Sequence, residues 1–136
     1  MRITRAVVLF SILLAASACG DDTVTPTDPT PTRPSVTETF TGVVTVNGAS
    51  IHSFSSGSGQ ISVTLTALSP DTAAIVGVSL GTWNGTACSV VIDNNNATQA
   101  AVVIGSATTT GSFCARVYDP GRLEAATEYT LTVVHF

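Results

Sequence analysis

Side chains able to do chemistry are few in this chain, and none is arranged for catalysis. The histidines are His52 and His135. His52 stands between Ile51 and Ser53 in a strand-like run, where an exposed strand residue is expected. His135 is one residue from the end of the sequence, where fraying spoils the positioning a general base needs. No G-x-S-x-G elbow, H-E-x-x-H helix or phosphate-cradling glycine loop occurs. The expectation is a protein that is not an enzyme.

Binding chemistry has more candidates. Trp83, in LGTWNGTAC, is the only tryptophan and abuts the Asn84-Gly85 turn. An exposed loop tryptophan offers a platform for a sugar ring or a partner surface. The competing expectation is that it caps one end of the core and packs on a disulfide. Arg116 and Tyr118 share a strand face with Cys114, opposite Phe113 and Val117, either as a stacked pair in solvent or as a polar binding patch. Asp93-Asn94-Asn95-Asn96 and Asp119 supply side-chain oxygens. Calcium takes about six to eight oxygens, usually several from carboxylates. Asp93, Asn95 and Asp119 would therefore make only a weak calcium site, and a tight turn is the preferred reading. No other cofactor is indicated.

The three cysteines divide by position. Cys19 ends MRITRAVVLFSILLAASAC, in which Arg2 and Arg5 precede an apolar run from Ala6 to Ala15 and then Ala16-Ser17-Ala18. A charged start, an apolar middle and a small-residue end are the anatomy of a secretory signal, here residues 1–18. The run is too short to span a bilayer as a helix. The cysteine at the cleavage point resembles the lipobox of bacterial lipoproteins, which implies acylation of Cys19 and a membrane partner through that lipid. The same Ala16-Ser17-Ala18 also satisfies ordinary A-x-A cleavage, which would leave a soluble protein. Residues 19–36 read as a Thr/Pro-rich tether, since each proline removes a backbone donor and biases its predecessor to extended conformations. Gly20 rather than Asp follows the cysteine, and the resemblance to bacterial lipoproteins then implies, by their sorting rules, outer-membrane placement in the cell envelope. Cys88 and Cys114 remain, and an even pair in an exported domain is most simply a disulfide.

The elements that must position these residues are strands. QISVTLTAL sets Ile61, Val63 and Leu65 against Ser62, Thr64 and Thr66, and EYTLTVVHF sets Tyr129, Leu131 and Val133 against Thr130, Thr132 and Val134. Strict alternation marks half-buried strands. GSFCARVYD does the same with Phe113, Ala115 and Val117. Further strands are expected over 37–46, 50–55, 73–81, 88–93 and 100–107, separated by Asn47-Gly48, Gly57-Ser58-Gly59, Ser69-Pro70-Asp71, Asn84-Gly85, 93–96 and Asp119-Pro120-Gly121. Only a single helical turn, at Leu123–Ala126, breaks the pattern. About eight short strands predict an all-β, antiparallel, jelly-roll-like β-sandwich over residues 37–136.

Charge narrows the partners. The chain holds five basic and nine acidic residues, and only Arg33, Arg116 and Arg122 lie beyond the leader. Nucleic acid, which requires clustered Lys and Arg, is excluded as a partner.

The domain is similar to the bacterial pre-peptidase C-terminal (PPC) domain. The resemblance rests on Phe54, on Gly59 before ISVTLTAL, on VGVSLG, on the Asp93-Asn94 turn and on a closing pair carrying Gly111, Phe113, Arg116, Val117, Tyr129 and Leu131. It covers nearly all of residues 37–136. Cys88 and Cys114 are not part of the family pattern, and no peptidase accompanies the module. The resemblance implies a jelly-roll-like sandwich with a non-catalytic accessory role, sometimes with calcium. A surface-tethered binding or adhesion module for a polysaccharide or an envelope protein follows. The alternative is an accessory subunit that positions a separate secreted enzyme.

Overall fold

Alternation of apolar and hydroxyl side chains forces each strand to bury one face, and two such sheets close on each other. The computed structural model describes Thr32–Phe136, which forms one compact unit with its own core. The expected leader and Cys19 lie outside the described residues, as does the tether up to Pro31. The strands are β1 (Val36–Val44), β2 (Ala49–Ser56), β3 (Gly59–Ser69), β4 (Val76–Trp83), β5 (Cys88–Ala97), β6 (Val102–Ala107), β7 (Gly111–Tyr118) and β8 (Thr127–His135). One sheet runs β1-β8-β3-β6 and the other β2-β7-β4-β5, with every neighbouring pair antiparallel. This interleaved order is that of a double-sheet jelly roll.

The core lies between the inner faces. Val63 and Leu65 of β3 pair with Val133 and Leu131 of β8, Ile61 continues the same inner face, and Val78, Leu80, Ala115 and Val117 close from the second sheet. Each large aliphatic side chain here, buried to within 4 %, contributes about 1.5–3 kcal/mol relative to exposure. The expected core residues are all found there, with Phe113 packed at its margin. Among the described residues no helix forms, and Leu123–Ala126 is irregular chain in which Leu123 is buried.

Both histidines depart from expectation. His52 shares the parity of Phe54, so it turns inward, stacks on Phe40 at 4.7 Å and meets the Tyr129 hydroxyl at 2.7 Å. His135 continues the parity of Leu131 and Val133. It is only 3 % exposed, with Nε2 at 2.8 Å from Glu38 Oε1. Pairing of β8 with β1 reaches His135 itself, and that pairing suppresses fraying.

Candidate functional site

The second sheet has an unusual centre. On the outer face β4 presents Gly77, Ser79 and Gly81, so it has almost no side-chain relief. β7 sets Tyr118, Arg116 and Cys114 directly beside those three positions. β5 lies on the other side, with Asp93 beside Ser79 and Val90 beside Gly81. Bare backbone between two side-chain-bearing strands lets groups from β7 reach across β4 to β5, and they do so at two places.

At one end the bridge is covalent. Cys88 and Cys114 are bonded, with Cα atoms 5.8 Å apart. The start of β5 is drawn over the β4 backbone, and a Cβ on Gly81 would collide with the Ser89 carbonyl. A register shift falls at Leu80/Gly81, where the two strands part from regular pairing. At the other end the bridge is polar. The Tyr118 ring lies where a Cβ of Gly77 would be, and its hydroxyl donates to Asp93 Oδ2 at 3.0 Å and to Asn95 Oδ1. The Arg116 guanidinium sits 4.6 Å over the same ring.

Burial, followed by the hydrogen bond and charge of Asp93, raises the Tyr118 pKa, against a smaller lowering by Arg116. The phenol therefore stays protonated and remains a donor at ordinary pH. Arg116 has no carboxylate within ion-pair distance, since Glu38–His135 is the only such pair among the described residues. Its planar fork of donors is free for a ligand. Between the two bridges, Ser79 is fully buried and its hydroxyl has no partner. An unpaired buried hydroxyl costs about 1–3 kcal/mol. The face thus combines fixed donors, a carboxylate, an amide and an aromatic, which is equipment for holding polyhydroxylated or amide ligands. It includes no nucleophile–base pair.

Of the sequence-derived candidates, Arg116, Tyr118, Asp93 and Asn95 converge here. Of the two sequence alternatives for Arg116 and Tyr118, the stacked pair is present. Trp83 ends β4, half-buried and directly opposite Cys88. It therefore shares the face of the disulfide and lies outside the core cluster. Asp119 has a different role. Its Oδ1 accepts from the amides of Gly121, Arg122 and Leu123, and its Oδ2 from that of Asn47. These bonds, led by that from Asn47, hold its pKa down to about 2 against desolvation, the second-largest influence and an opposing one. Asp119 is a turn cap, and Asp93 and Asn95 are engaged by Tyr118. Among the described residues no three His, Cys, Asp or Glu side chains cluster as metal ligands. The 93–96 segment, expected as a turn, is strand paired to β4. Sequence reasoning missed Gly77, Ser79 and Gly81; the signal was the small-residue alternation within VGVSLG.

No protein-family model and no curated protein matches the chain. Among solved structures, the crystal structure of Yersinia pseudotuberculosis-derived mitogen (YPM) is similar. Its TM-score is 0.56 at 14% identity, covering 74% of this chain and 86% of that one. At that identity the likeness is one of fold, a β-sandwich.

Proposed function

We propose that this chain is a surface-tethered, non-catalytic binding module of the bacterial cell envelope, holding a polysaccharide on the outer face of its second sheet. The observation that carries the reading is the pre-set patch at Tyr118. Its ring is fixed over Gly77, its hydroxyl is anchored on Asp93 and Asn95, and Arg116, without an ion-pair partner among the described residues, is stacked upon it. Rigid aromatic and guanidinium groups bind at low entropic cost. Trp83, on the same face beyond the disulfide, extends the contact along a chain-like ligand. The non-catalytic part of the reading is supported by the engagement of both histidines in packing and pairing within the fold. The signal-like leader, Cys19 and the Thr/Pro tether support the envelope location, and the likeness to PPC domains supports an accessory role.

A screen of Thr32–Phe136 on immobilised glycans tests the reading. Saturable binding is expected, and Arg116→Ala should weaken it about 10- to 100-fold, the loss of a charge-assisted hydrogen bond or two. Binding unaltered by Arg116→Ala, or none to any glycan, would remove the basis for the proposal. For the tether, Cys19→Ala in the full chain should move the protein from the membrane to the soluble fraction; unchanged membrane association would contradict it.

A further inference from the structure

A second feature lies on the flank of the sandwich, where β5 edges one sheet and β6 edges the other. A cavity of about 360 Å³ opens between them and penetrates to the core. Its floor includes Ile61, Leu80, Ile92 and Phe113, and its rim carries hydroxyls such as those of Thr82 and Thr109. Ile61 and Leu80 are 1 % and 4 % exposed and belong to the core cluster, so the floor of the cavity is the edge of the packed core. None of the residues lining it is charged.

The surroundings match the interior. Among the described residues, five of the nine exposed large hydrophobic residues belong to these two edge strands, and two of the five, Val91 and Ile92, line the cavity. Val91 is 70 % and Ile92 37 % exposed. On a surface otherwise rich in Thr, Ser and Asn, that concentration marks a site where apolar matter is bound. We infer that this seam is a binding site for the unbranched aliphatic chain of a neutral lipid or alcohol, distinct from the patch at Tyr118.

The chemistry selects that occupant. The volume is at the small end of ligand pockets, enough for a single short chain. A charged headgroup would find no counter-charge among the lining residues. A sugar would find hydroxyls but no carboxylate, amide or guanidinium to bracket its own. An aliphatic chain lies on the floor of Ile61, Leu80, Ile92 and Phe113, and its one neutral polar end meets the hydroxyl rim.

Titration of Thr32–Phe136 with 1-alkanols of four to ten carbons, followed by methyl resonances, tests the inference. Saturable shifts are expected at Ile61, Leu80 and Ile92. Affinity should rise about fourfold for each added methylene, and then level off when the cavity is full. Ile92→Asp, which places a charge at the mouth, should abolish the shifts at Ile61 and Leu80. Thr82→Trp, on the exposed rim, should do the same by obstruction if the aspartate variant fails to fold. Shifts without dependence on chain length, shifts away from the seam, or a flank closed by self-association so that alkanols have no effect would each overturn the assignment.

Discussion

Removing the disulfide should do more than loosen a loop, because Gly81 and the Cys88–Cys114 bond are coupled. The bond closes a loop with a sequence separation of 26. In the chain-entropy account such a loop contributes about 3.5 kcal/mol by restricting the unfolded state. Cys88→Ala/Cys114→Ala should therefore lower the unfolding free energy of Thr32–Phe136 by roughly 3–4 kcal/mol. With a urea slope of about 1.5 kcal/mol/M, the midpoint falls by roughly 2 M. The slope itself should steepen, because an unlinked denatured chain exposes more surface. Gly81→Ala forces a methyl group against the Ser89 carbonyl, which the bond holds over β4. In the oxidised protein that overpacking should cost about 1–3 kcal/mol. Without the bond the start of β5 can lift, so the same substitution should cost about 1 kcal/mol less. Urea unfolding of the four species completes the cycle. Additive effects within about 0.5 kcal/mol would refute the claim that the disulfide holds β5 against Gly81. A double-cysteine variant destabilised by under about 1 kcal/mol would refute the loop-closure magnitude.

Gly77→Val should displace the Tyr118 ring from β4 and break its bonds to Asp93 and Asn95; a crystal structure with the Tyr118–Asp93 contact intact would contradict this. Burial lowers the pKa of His52 below 6.5, so the fold favours its neutral form. That preference contributes fully above pH 6.5 and is lost as pH falls below it, because the unfolded chain there binds more protons. His52→Gln should flatten the fall in stability between pH 6.5 and 5. Asp119 acts through the opposite charge type with the same sign. Its folded pKa of about 2 lies below the ordinary 3.8, so its contribution is present above that ordinary value and disappears as pH falls towards 2. Asp119→Asn should remove this part of the acid transition, as followed by circular dichroism.

The strands were legible because alternation is a local record of which face meets the core. Expected and observed limits differ by only a few residues for β1, β2, β3, β7 and β8. β5 was half legible. Asn94, Asn95 and Asn96 have low strand propensity, yet pairing with β4 and the Tyr118 hydroxyl hold that segment in the sheet. β4 was legible as a strand with small residues alternating in VGVSLG, but the covering of Gly77 and Gly81 by groups from β7 and β5 is a non-local fact no strand pattern records. The site was legible in parts: the parity of Arg116 with Tyr118 is local, whereas their meeting with Asp93 and Asn95 depends on sheet order. The two histidines were misjudged although the parity of His52 with Phe54, and of His135 with Val133, was there to be read.

The central claim is that ligand is held on the outer face of the β2-β7-β4-β5 sheet. Backbone amide shifts of Thr32–Phe136, recorded during titration with the glycan that binds best in the screen, test it most directly. The account predicts saturable shifts confined to Gly77, Ser79, Asp93, Asn95, Arg116 and Tyr118, weakening towards Trp83 and absent from the threonine-bearing outer faces of β1 and β3. Shifts centred on Thr39 and Thr64 of the opposite sheet, with Arg116 and Tyr118 unmoved, would contradict it.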